Sequence, residues 1–324
     1  MTRRILVTGG AGYVGSHACL LLAEAGYEPV VYDNLSRGFL HAVQWGPFIE
    51  GDIRDTDRLT AAMREYAIDA VIHFAGVAYV AESVAKPWFY YENNVVGSLS
   101  LTAAMRAADV EKLIFSSTCS VFSTIDSKIS EKTEPRPINP YGASKLMVER
   151  CLADYHAAYG LKWIALRYFN AGGADPQGRI GENHDPEPHL IPRLIDAALG
   201  RIASVPVLGT DYPTPDGTCI RDYVHVVDLA RAHVLALRHL ERSGTGGPYN
   251  LGTGQGYSVL EVAKAVERIS GRPVPLAFSD RRPGDPVTLV ALADRAAREL
   301  SWNPTISDID TIVGTALAWR TRPR

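Results

Sequence analysis

The stretch "ILVTGGAGYVGSHACLLL", residues 5–22, joins a short apolar run to an amphipathic segment through a set of spaced glycines. Its glycines fit either Gly10-x-Gly12-x-x-Gly15 or the related spacing Gly9-x-x-Gly12-x-x-Gly15. Glycine between a strand and a helix permits positive φ and lets the backbone approach a pyrophosphate, while the helix N-terminus supplies free N–H groups. The stretch therefore predicts the first βα turn of a dinucleotide-binding fold.

An acidic residue supports this interpretation. Asp33 ends the next predicted strand, at about the distance in sequence expected for a carboxylate on the adenosine ribose hydroxyls. A carboxylate at this point repels a 2′-phosphate, which favours NAD as the cofactor. Arg37 lies nearby and keeps NADP as an alternative.

Short β-branched runs alternate with longer amphipathic stretches as far as Asn170, and this rhythm indicates βαβ units. Strands that read as continuous apolar runs belong to a parallel sheet covered on both faces. The predicted fold is α/β, a doubly wound parallel (Rossmann) sheet with a smaller mixed α/β C-terminal substrate domain. A segment rich in Gly, Pro and Asp follows Asn170 and marks the boundary. We expect an NAD-binding domain over 1–171 and a substrate-binding domain over 172–324, with the segment around 218–245 as a candidate to return to the first domain.

Composition excludes several classes of function. Apolar residues make up 46% of the 324 residues and charged residues 21%, which is ordinary for a globular protein. A net charge of -3 gives no basic field for nucleic acid or for an anionic membrane. The four cysteines form no CxxC pair, and the histidines show no metal-ligand spacing, so no metal is expected. The N-terminus carries no signal-like apolar run, and a cytoplasmic location is the expectation.

The stretch "INPYGASKLMVE" sets Tyr141 and Lys145 four residues apart where a helix is predicted to begin. Residues so spaced share one helix face, so both side chains can point into the same cleft. A tyrosine that acts as a base near neutral pH needs its pKa lowered by about three units, or about 4 kcal/mol, from its usual value of ~10. One cation at ~4 Å with an effective dielectric of ~20 supplies roughly that much. We therefore expect Lys145 to lower the pKa of Tyr141.

Hydroxyl and amide groups are predicted to meet this pair at one rim of the sheet. Ser116 and Thr118 end a predicted strand, Asn93 lies on the preceding helix, and Tyr168 ends the following strand. In this architecture ligands bind at the carboxyl ends of parallel strands.

These motifs, together with "YDNLSRG", "EGDIRD", "HFAG", "LRYFNAGG", "YNLGTG" and "RRPGD", resemble the extended short-chain dehydrogenase/reductase family from end to end. The resemblance is strongest to members that invert C4 of UDP-hexoses, the UDP-glucose/UDP-galactose pair. It implies an isomerase that holds NAD tightly, oxidises C4 transiently to a 4-keto sugar and forms a homodimer.

The resemblance also implies roles for individual residues. The catalytic residues are Tyr141, which takes the C4 hydroxyl proton, Thr118, which hydrogen-bonds that oxygen, and Lys145, which holds the nicotinamide ribose. The cofactor residues are Gly9, Gly12, Tyr13, Val14, Gly15, Asp33, Asn34, Asp52, Ile53, Phe74, Ala75, Gly76, Asn93, Ser116, Tyr141, Lys145 and Tyr168. The substrate residues are Thr118, Phe169, Asn170, His189, Leu190, Val207, Leu208, Arg221, Tyr223, Arg282 and Asp285.

Some positions depart from the family pattern. Ala78 stands where a cofactor-contacting lysine is frequent, and Phe122-Ser123 replaces a frequent Tyr-Gly pair. His189 replaces an asparagine near the UDP, and Leu289 replaces a larger tyrosine that narrows the sugar pocket. The alternatives are a 4-epimerase of UDP-xylose/UDP-arabinose or of UDP-N-acetylhexosamines, a nucleotide-sugar dehydratase, and an NAD-binding regulator without catalysis.

Overall fold

The computed structural model describes residues 2–123, 128–244, 246–282 and 285–322. Its strands, in chain order, are β1 (Arg4–Thr8), β2 (Glu28–Asp33), β3 (Phe48–Glu50), β4 (Ala70–His73), β5 (Lys112–Thr118), β6 (Lys162–Tyr168), β7 (Asn170–Gly172), β8 (Val205–Leu208), β9 (Ile220–His225), β10 (Gly247–Leu251), β11 (Gly256–Ser258), β12 (Leu276–Ser279) and β13 (Thr288–Leu289). Its α-helices are α1 (Tyr13–Glu24), α2 (Thr56–Glu65), α3 (Val80–Ala85), α4 (Pro87–Tyr90), α5 (Gly97–Ala107), α6 (Pro140–Tyr159), α7 (Leu190–Ala198), α8 (Val226–Ser243), α9 (Val259–Ser270) and α10 (Ile309–Arg320).

Four shorter helical turns connect these elements. The 3₁₀ turns are Leu40–Ala42 and Cys119–Val121, and the π-helical turns are Tyr91–Val96 and Ala296–Leu300. The first π-helical turn joins α4 directly to α5.

Among the described residues, seven strands form one parallel sheet in the order β10-β6-β5-β4-β1-β2-β3. Successive residues of β1 enter different cores. Ile5 and Val7 pack with α1 and α8, whereas Leu6 packs with α2 and α5. Both faces of the sheet are therefore covered by helices, as the continuous apolar runs predicted. The doubly wound fold class is confirmed.

The second half of the chain builds smaller sheets beside this one. Strands β11, β9 and β13 pair in that order, with β7 also paired to β9, and β12 pairs with β8. Helices α7, α9 and α10 enclose a separate core there. Helix α8 packs against α1, and β10 lies beside β6, so both of these elements belong to the large sheet's layers.

Capping residues explain where helix α6 begins and ends. The Asn139 side chain accepts a hydrogen bond from Gly142 N at 2.9 Å, and Pro140 occupies the first turn, where its missing N–H costs nothing. Gly160 ends the helix in the left-handed conformation. Tyr141 and Lys145 are thereby fixed in the first turns of a 20-residue helix. No helix in the described ranges is long and apolar enough to cross a bilayer.

Candidate active site

A cavity of about 600 Å³ lies between the carboxyl ends of the large sheet's strands and the second half of the chain. Most of the predicted site residues line it, and their individual roles stay predictions. Those on the sheet side are Gly9, Gly12, Tyr13, Val14, Gly15, Asp33, Asn34, Asp52, Ile53, Phe74, Ala75, Gly76, Asn93, Thr118, Tyr141 and Tyr168. Those on the other side are Phe169, Asn170, His189, Leu190, Leu208, Arg221, Tyr223, Arg282 and Asp285.

The lining omits three predicted residues: Ser116, Lys145 and Val207. Ser116 and Lys145 lie directly beneath it, joined by a 3.0 Å hydrogen bond from Lys145 Nζ to the Ser116 carbonyl. Val207 is fully buried in β8, where its neighbour Leu208 reaches the cavity instead.

The glycine turn has no room for side chains. Gly9 has φ 74°, and a Cβ there would lie 2.5 Å from Ala75 N at the end of β4. A Cβ on Gly15 would lie 2.2 Å from Gly9 O. Gly12 caps α1 without any side-chain hydrogen bond, so the N-terminal N–H groups of α1 face the cavity uncapped. The turn has the shape and the free donors that bind a pyrophosphate.

Asp33 sits at the end of β2 with its carboxylate against this turn. The carboxylate accepts hydrogen bonds from Ala11 N at 3.0 Å and Leu35 N at 2.8 Å. Burial raises the pKa of Asp33, and these two hydrogen bonds oppose the rise. Each oxygen retains a further acceptor position for a ribose hydroxyl.

The Asp52 carboxylate is held in place by hydrogen bonds from two neighbouring side chains. Arg54 binds both of its oxygens at 2.9 Å, and Asn34 Nδ2 donates to it at 3.1 Å. The Arg54 hydrogen bond lowers the pKa of Asp52 to about 2.

Arg37 does not stand free at the Asp33 end of the cavity. Its guanidinium binds the Glu82 carboxylate at 3.1 Å and lies over the Tyr79 ring, 4.8 Å from the centroid. A paired guanidinium is a weaker attractor for a 2′-phosphate than a free one, which favours NAD over NADP.

The two adjacent asparagines on the π-helical turn Tyr91–Val96 have different surroundings. Asn93 lines the cavity, and its Nδ2 donates to Phe89 O at 2.8 Å. Asn94 is buried instead, accepting from Val77 N at 2.8 Å and donating to Ser144 Oγ at 2.9 Å. Asn94 thus ties the loop after β4 to helix α6. The sequence did not single it out, although the doublet was visible.

Tyr141 lies buried at the cavity wall with hydroxyls around it. Tyr168 Oη and Ser116 Oγ are 2.5 Å apart beside it, and Thr118 Oγ1 accepts from Ser120 N at 3.1 Å. Burial raises the pKa of Tyr141 well above its ordinary value, Tyr168 adds to the rise, and a hydrogen bond with Thr118 opposes it.

The predicted lowering of this pKa by Lys145 is wrong for this arrangement. Loss of water around the buried phenolate is the largest influence on this pKa, and it acts in the opposite direction to the one predicted. Lys145 itself is buried, its ammonium is directed at the Ser116 carbonyl, and burial lowers its pKa to about 8 while Glu149 opposes that change.

Beneath this pair lies a buried ion pair that the sequence did not reveal. Arg167 Nε and Nη2 bind Glu149 at 2.9 and 2.5 Å, and Ser117 Oγ donates to the same carboxylate at 2.5 Å. Glu149 follows Lys145 by one helical turn, so its charge also acts on that ammonium. The only available signal was the spacing of four residues along α6.

Among the described residues, three arginines of the second half line the cavity, Arg193, Arg221 and Arg282, and one carboxylate joins the last two. Asp285 Oδ1 lies 2.8 Å from Arg282 Nη2 and 3.5 Å from Arg221 Nη2. Strand pairing brings their surroundings together, because Arg221 is opposite Leu289 and Tyr223 is opposite Asn170. Two guanidiniums with one carboxylate leave a net positive charge, which suits a diphosphate.

The positions that depart from the family pattern also reach the cavity. Ala78, Phe122 and Leu289 line it, and Phe122 and Leu289 are buried. Leu289 packs with Phe122, Phe169 and Cys119 in a small apolar cluster.

A sequence model described as "NAD dependent epimerase/dehydratase family" matches residues 5–252. The UDP-glucose 4-epimerase of Rhizobium meliloti (strain 1021) is 49% identical over 319 residues, covering 98% of this chain and 97% of the relative. The UDP-glucose 4-epimerase of Azospirillum brasilense is 51% identical over 318 residues, covering 98% and 91%.

Solved structures agree with these relatives. The crystal structure of UDP-glucose 4-epimerase from Brucella ovis in complex with NAD superimposes with a TM-score of 0.94 at 53% identity, covering 98% of both chains. The enzyme from Bifidobacterium longum, in complex with NAD+ and UDP, also gives 0.94, at 42% identity and 98% coverage of both chains.

Proposed function

Because this chain belongs to the NAD dependent epimerase/dehydratase family, we propose that it inverts C4 of a UDP-hexose, interconverting UDP-glucose and UDP-galactose through a transient 4-keto sugar. The observation that carries the proposal is the meeting of three features in one cavity. These are the glycine turn, the Tyr141 phenol with Thr118, and the two arginines on Asp285. The relatives described above are UDP-glucose 4-epimerases, and one of their structures holds both NAD+ and UDP.

The sheet side of the cavity fits NAD. Side chains at Gly9 and Gly15 would collide with the backbone, so the turn offers a bare surface and uncapped N–H groups to a pyrophosphate. Asp33 offers acceptor oxygens at the position for the adenosine ribose. NAD, when bound, supplies the transient oxidation at C4. We assign the cofactor to 1–171 and the UDP-sugar to 172–324, with the segment around 218–245 passing back to the first unit, where α8 packs beside α1.

The chain's own residues then handle the proton. Tyr141 Oη takes the proton of the C4 hydroxyl and returns it after the sugar has presented its other face. Thr118 holds that oxygen, and its hydrogen bond is the local contact that favours the phenolate. Since burial keeps the free phenol protonated, removal of its proton depends on positive charge gathered at the nicotinamide end of the cavity.

The UDP part of the substrate anchors the sugar while it turns. Arg221 and Arg282 grip the diphosphate, since guanidinium binds phosphate oxygens in bidentate fashion. Binding energy placed there stays constant while the reacting carbon changes face. The wall near Leu289 is apolar, which leaves the sugar itself lightly held.

A dehydratase needs an acidic or basic side chain next to the residue that hydrogen-bonds the C4 hydroxyl. Here that residue is Thr118, and it is followed by Cys119 and Ser120. Burial raises the pKa of Cys119 to about 12, so it stays a thiol and does not act as such a group. This observation favours epimerisation over elimination.

We assign the chain to a homodimer through α5 and α6. Apolar side chains are exposed at Val96, which ends the π-helical turn before α5, at Leu99 on α5 and at Met147 on α6. A patch of this kind on two adjacent helices suits a second copy of the same surface.

One set of assays tests both the preferred UDP-sugar and the role of Tyr141 as the base. Purified protein is incubated with UDP-galactose, UDP-N-acetylgalactosamine and UDP-xylose in turn, and the products are resolved by chromatography. We expect turnover of UDP-galactose to UDP-glucose, with Tyr141→Phe slower by roughly 10²–10⁴-fold while NAD stays bound. Tyr159→Phe, an exposed tyrosine on the same helix, is the matched control and should keep the full rate. Near-normal turnover by Tyr141→Phe, or no epimerised product from any of the three sugars, contradicts the proposal.

A further inference from the structure

Two glutamates and two histidines gather at one wall of the cavity, on the segment that leads into α7. They are Glu182, His184, Glu187 and His189, and one ligand atom from each lies within 4.8 Å of all the others. Glu182 is buried, and His189 directly precedes the first turn of α7. The proposed epimerisation gives a role to His189 alone, and it does not account for the clustering of the four side chains.

The contacts have the dimensions of a coordination shell. His189 Nδ1 lies 2.7 Å from Glu182 Oε1 and 3.2 Å from Glu187 Oε1. His184 Nδ1 lies 3.4 and 3.5 Å from the same two oxygens. Ligands of a tetrahedral ion with bonds of about 2.0–2.1 Å stand about 3.3 Å from one another.

Of these four atoms, aligned hydrogen bonds reach His189 Nδ1 and Glu187 Oε1 and leave Glu182 Oε1 and His184 Nδ1 without a partner. Each imidazole Nδ1 carries at most one hydrogen, so two rings can serve at most two of the four close N···O contacts. One hydrogen bond is well aligned, between His189 Nδ1 and Glu187 Oε1. Glu182 Oε1 and His184 Nδ1 are buried without an aligned partner. Glu187 Oε2 faces Arg320 Nη1, but at 3.6 Å.

We propose that Glu182, His184, Glu187 and His189 bind a divalent transition-metal ion, with Zn²⁺ as the ion that fits best. Two imidazole nitrogens and two carboxylate oxygens are ligands that zinc accepts in a four-coordinate shell. Two carboxylates neutralise the charge of the ion, which a buried site requires. A single ion takes a lone pair from Glu182 Oε1 and another from the unprotonated Nδ1 of His184, the two atoms that hydrogen bonds leave without a partner.

The ion holds structure rather than reacting, because four protein ligands fill a tetrahedral shell and leave no open position. It clips the segment 182–189 together and so fixes the start of α7, whose first residue, Leu190, lines the cavity. His189 contacts the cluster through Nδ1, which leaves Nε2 for the contact to substrate predicted above. Tyr13 and Tyr79 pack their ring edges against His184 and exclude water from that side.

The test needs no assay of epimerisation, so it stands if the proposed function fails. Protein produced with zinc in the medium is analysed for metal by mass spectrometry, then stripped with a chelator and titrated with Zn²⁺ against a chromophoric competitor. We expect about one equivalent of zinc per chain and a dissociation constant of roughly 10 µM or tighter. Cobalt(II) in place of zinc should give the intense visible absorption of a tetrahedral ion.

Variants locate the ion. His184→Gln and Glu187→Gln should each weaken zinc binding by on the order of a hundredfold, whereas His41→Gln, an exposed histidine away from the cavity, should not change it. Zinc binding weaker than the stated limit in the wild-type chain overturns the proposal and leaves a plain ion-pair cluster. Unchanged affinity in both ligand variants overturns it as well, by placing the ion elsewhere.

Discussion

Replacing Lys145 by methionine should stabilise the fold while abolishing turnover. Lys145 is 4% exposed, and its ammonium makes one hydrogen bond, to the Ser116 carbonyl at 3.0 Å. Burial lowers its pKa from 10.5 to about 8. The folded state therefore carries the cost of holding a cation where water cannot reach it.

The size of that cost follows from the pKa. A fall of about two and a half units corresponds to ~3 kcal/mol at 1.36 kcal/mol per unit. Methionine has a similar length and removes the charge, losing one hydrogen bond of about 1 kcal/mol. Its sulfur replaces the ammonium that lies 4.8 Å from the Phe115 ring centroid, a contact that sulfur also makes favourably. The net gain is about 2 kcal/mol, or a rise in Tm of roughly 3 °C in a chain of this size.

The gain depends on pH in a direction that tests the cause. Between pH 8 and 10.5 the unfolded chain binds more protons at Lys145 than the folded chain does, so wild-type stability rises with pH across this window. Below pH 8 both states are protonated and the whole cost is present. The advantage of Lys145→Met should thus be largest near pH 7 and turn into a deficit of about 1 kcal/mol above pH 10.5, where only the lost hydrogen bond remains.

Differential scanning calorimetry of both proteins from pH 7 to pH 10.5 measures this directly. Lys86→Met, at an exposed lysine paired only with Glu82, should move Tm by less than about 1 °C at any pH and serves as the control. A Tm of Lys145→Met below that of the wild type at pH 7, or a difference that does not change with pH, would refute the reasoning.

Two further perturbations test the buried ion pair and the exposed patch. Arg167→Met leaves the Glu149 carboxylate buried without its partner and should lower the free energy of unfolding, measured by chemical denaturation, by about 3–5 kcal/mol. The double variant with Glu149→Met should recover most of this loss. Equal losses in both variants contradict the expectation. Leu99→Asp puts a charge into the exposed apolar patch and should convert the dimer to a monomer in light scattering, with an unchanged circular dichroism spectrum. A wild-type chain that is already monomeric contradicts the homodimer.

Local chemistry made much of the fold predictable. The glycines at 9–15, the apolar runs and the Pro140 start of α6 are short-range signals, and each appears in the structure where the sequence placed it. The meeting of these motifs at one rim followed from a rule about parallel sheets. Such rules need no knowledge of distant partners.

Features built from residues far apart in sequence were not predicted. Glu149 meets Arg167 because α6 crosses β6, and neither residue shows this locally. Asn94 turns inward and Asn93 lines the cavity because consecutive residues of a helical turn face different directions, and the sequence does not say which of the two meets the loop after β4. Glu182, His184, Glu187 and His189 stand close in sequence, but at spacings that match no metal motif, and only an irregular loop brings them together.

The Tyr141 pKa shows why a pairwise argument from sequence can give the wrong sign. Spacing on a helix identifies Lys145 as a neighbour, and Coulomb's law then gives a favourable energy of a few kcal/mol. The same burial that brings the two groups close removes water from the phenolate, and that loss raises the pKa of Tyr141. The sign of this effect cannot be read from the distance between two residues. Burial thus favours the protonated phenol, so Tyr141 acts as a base only with positive charge beyond that of Lys145.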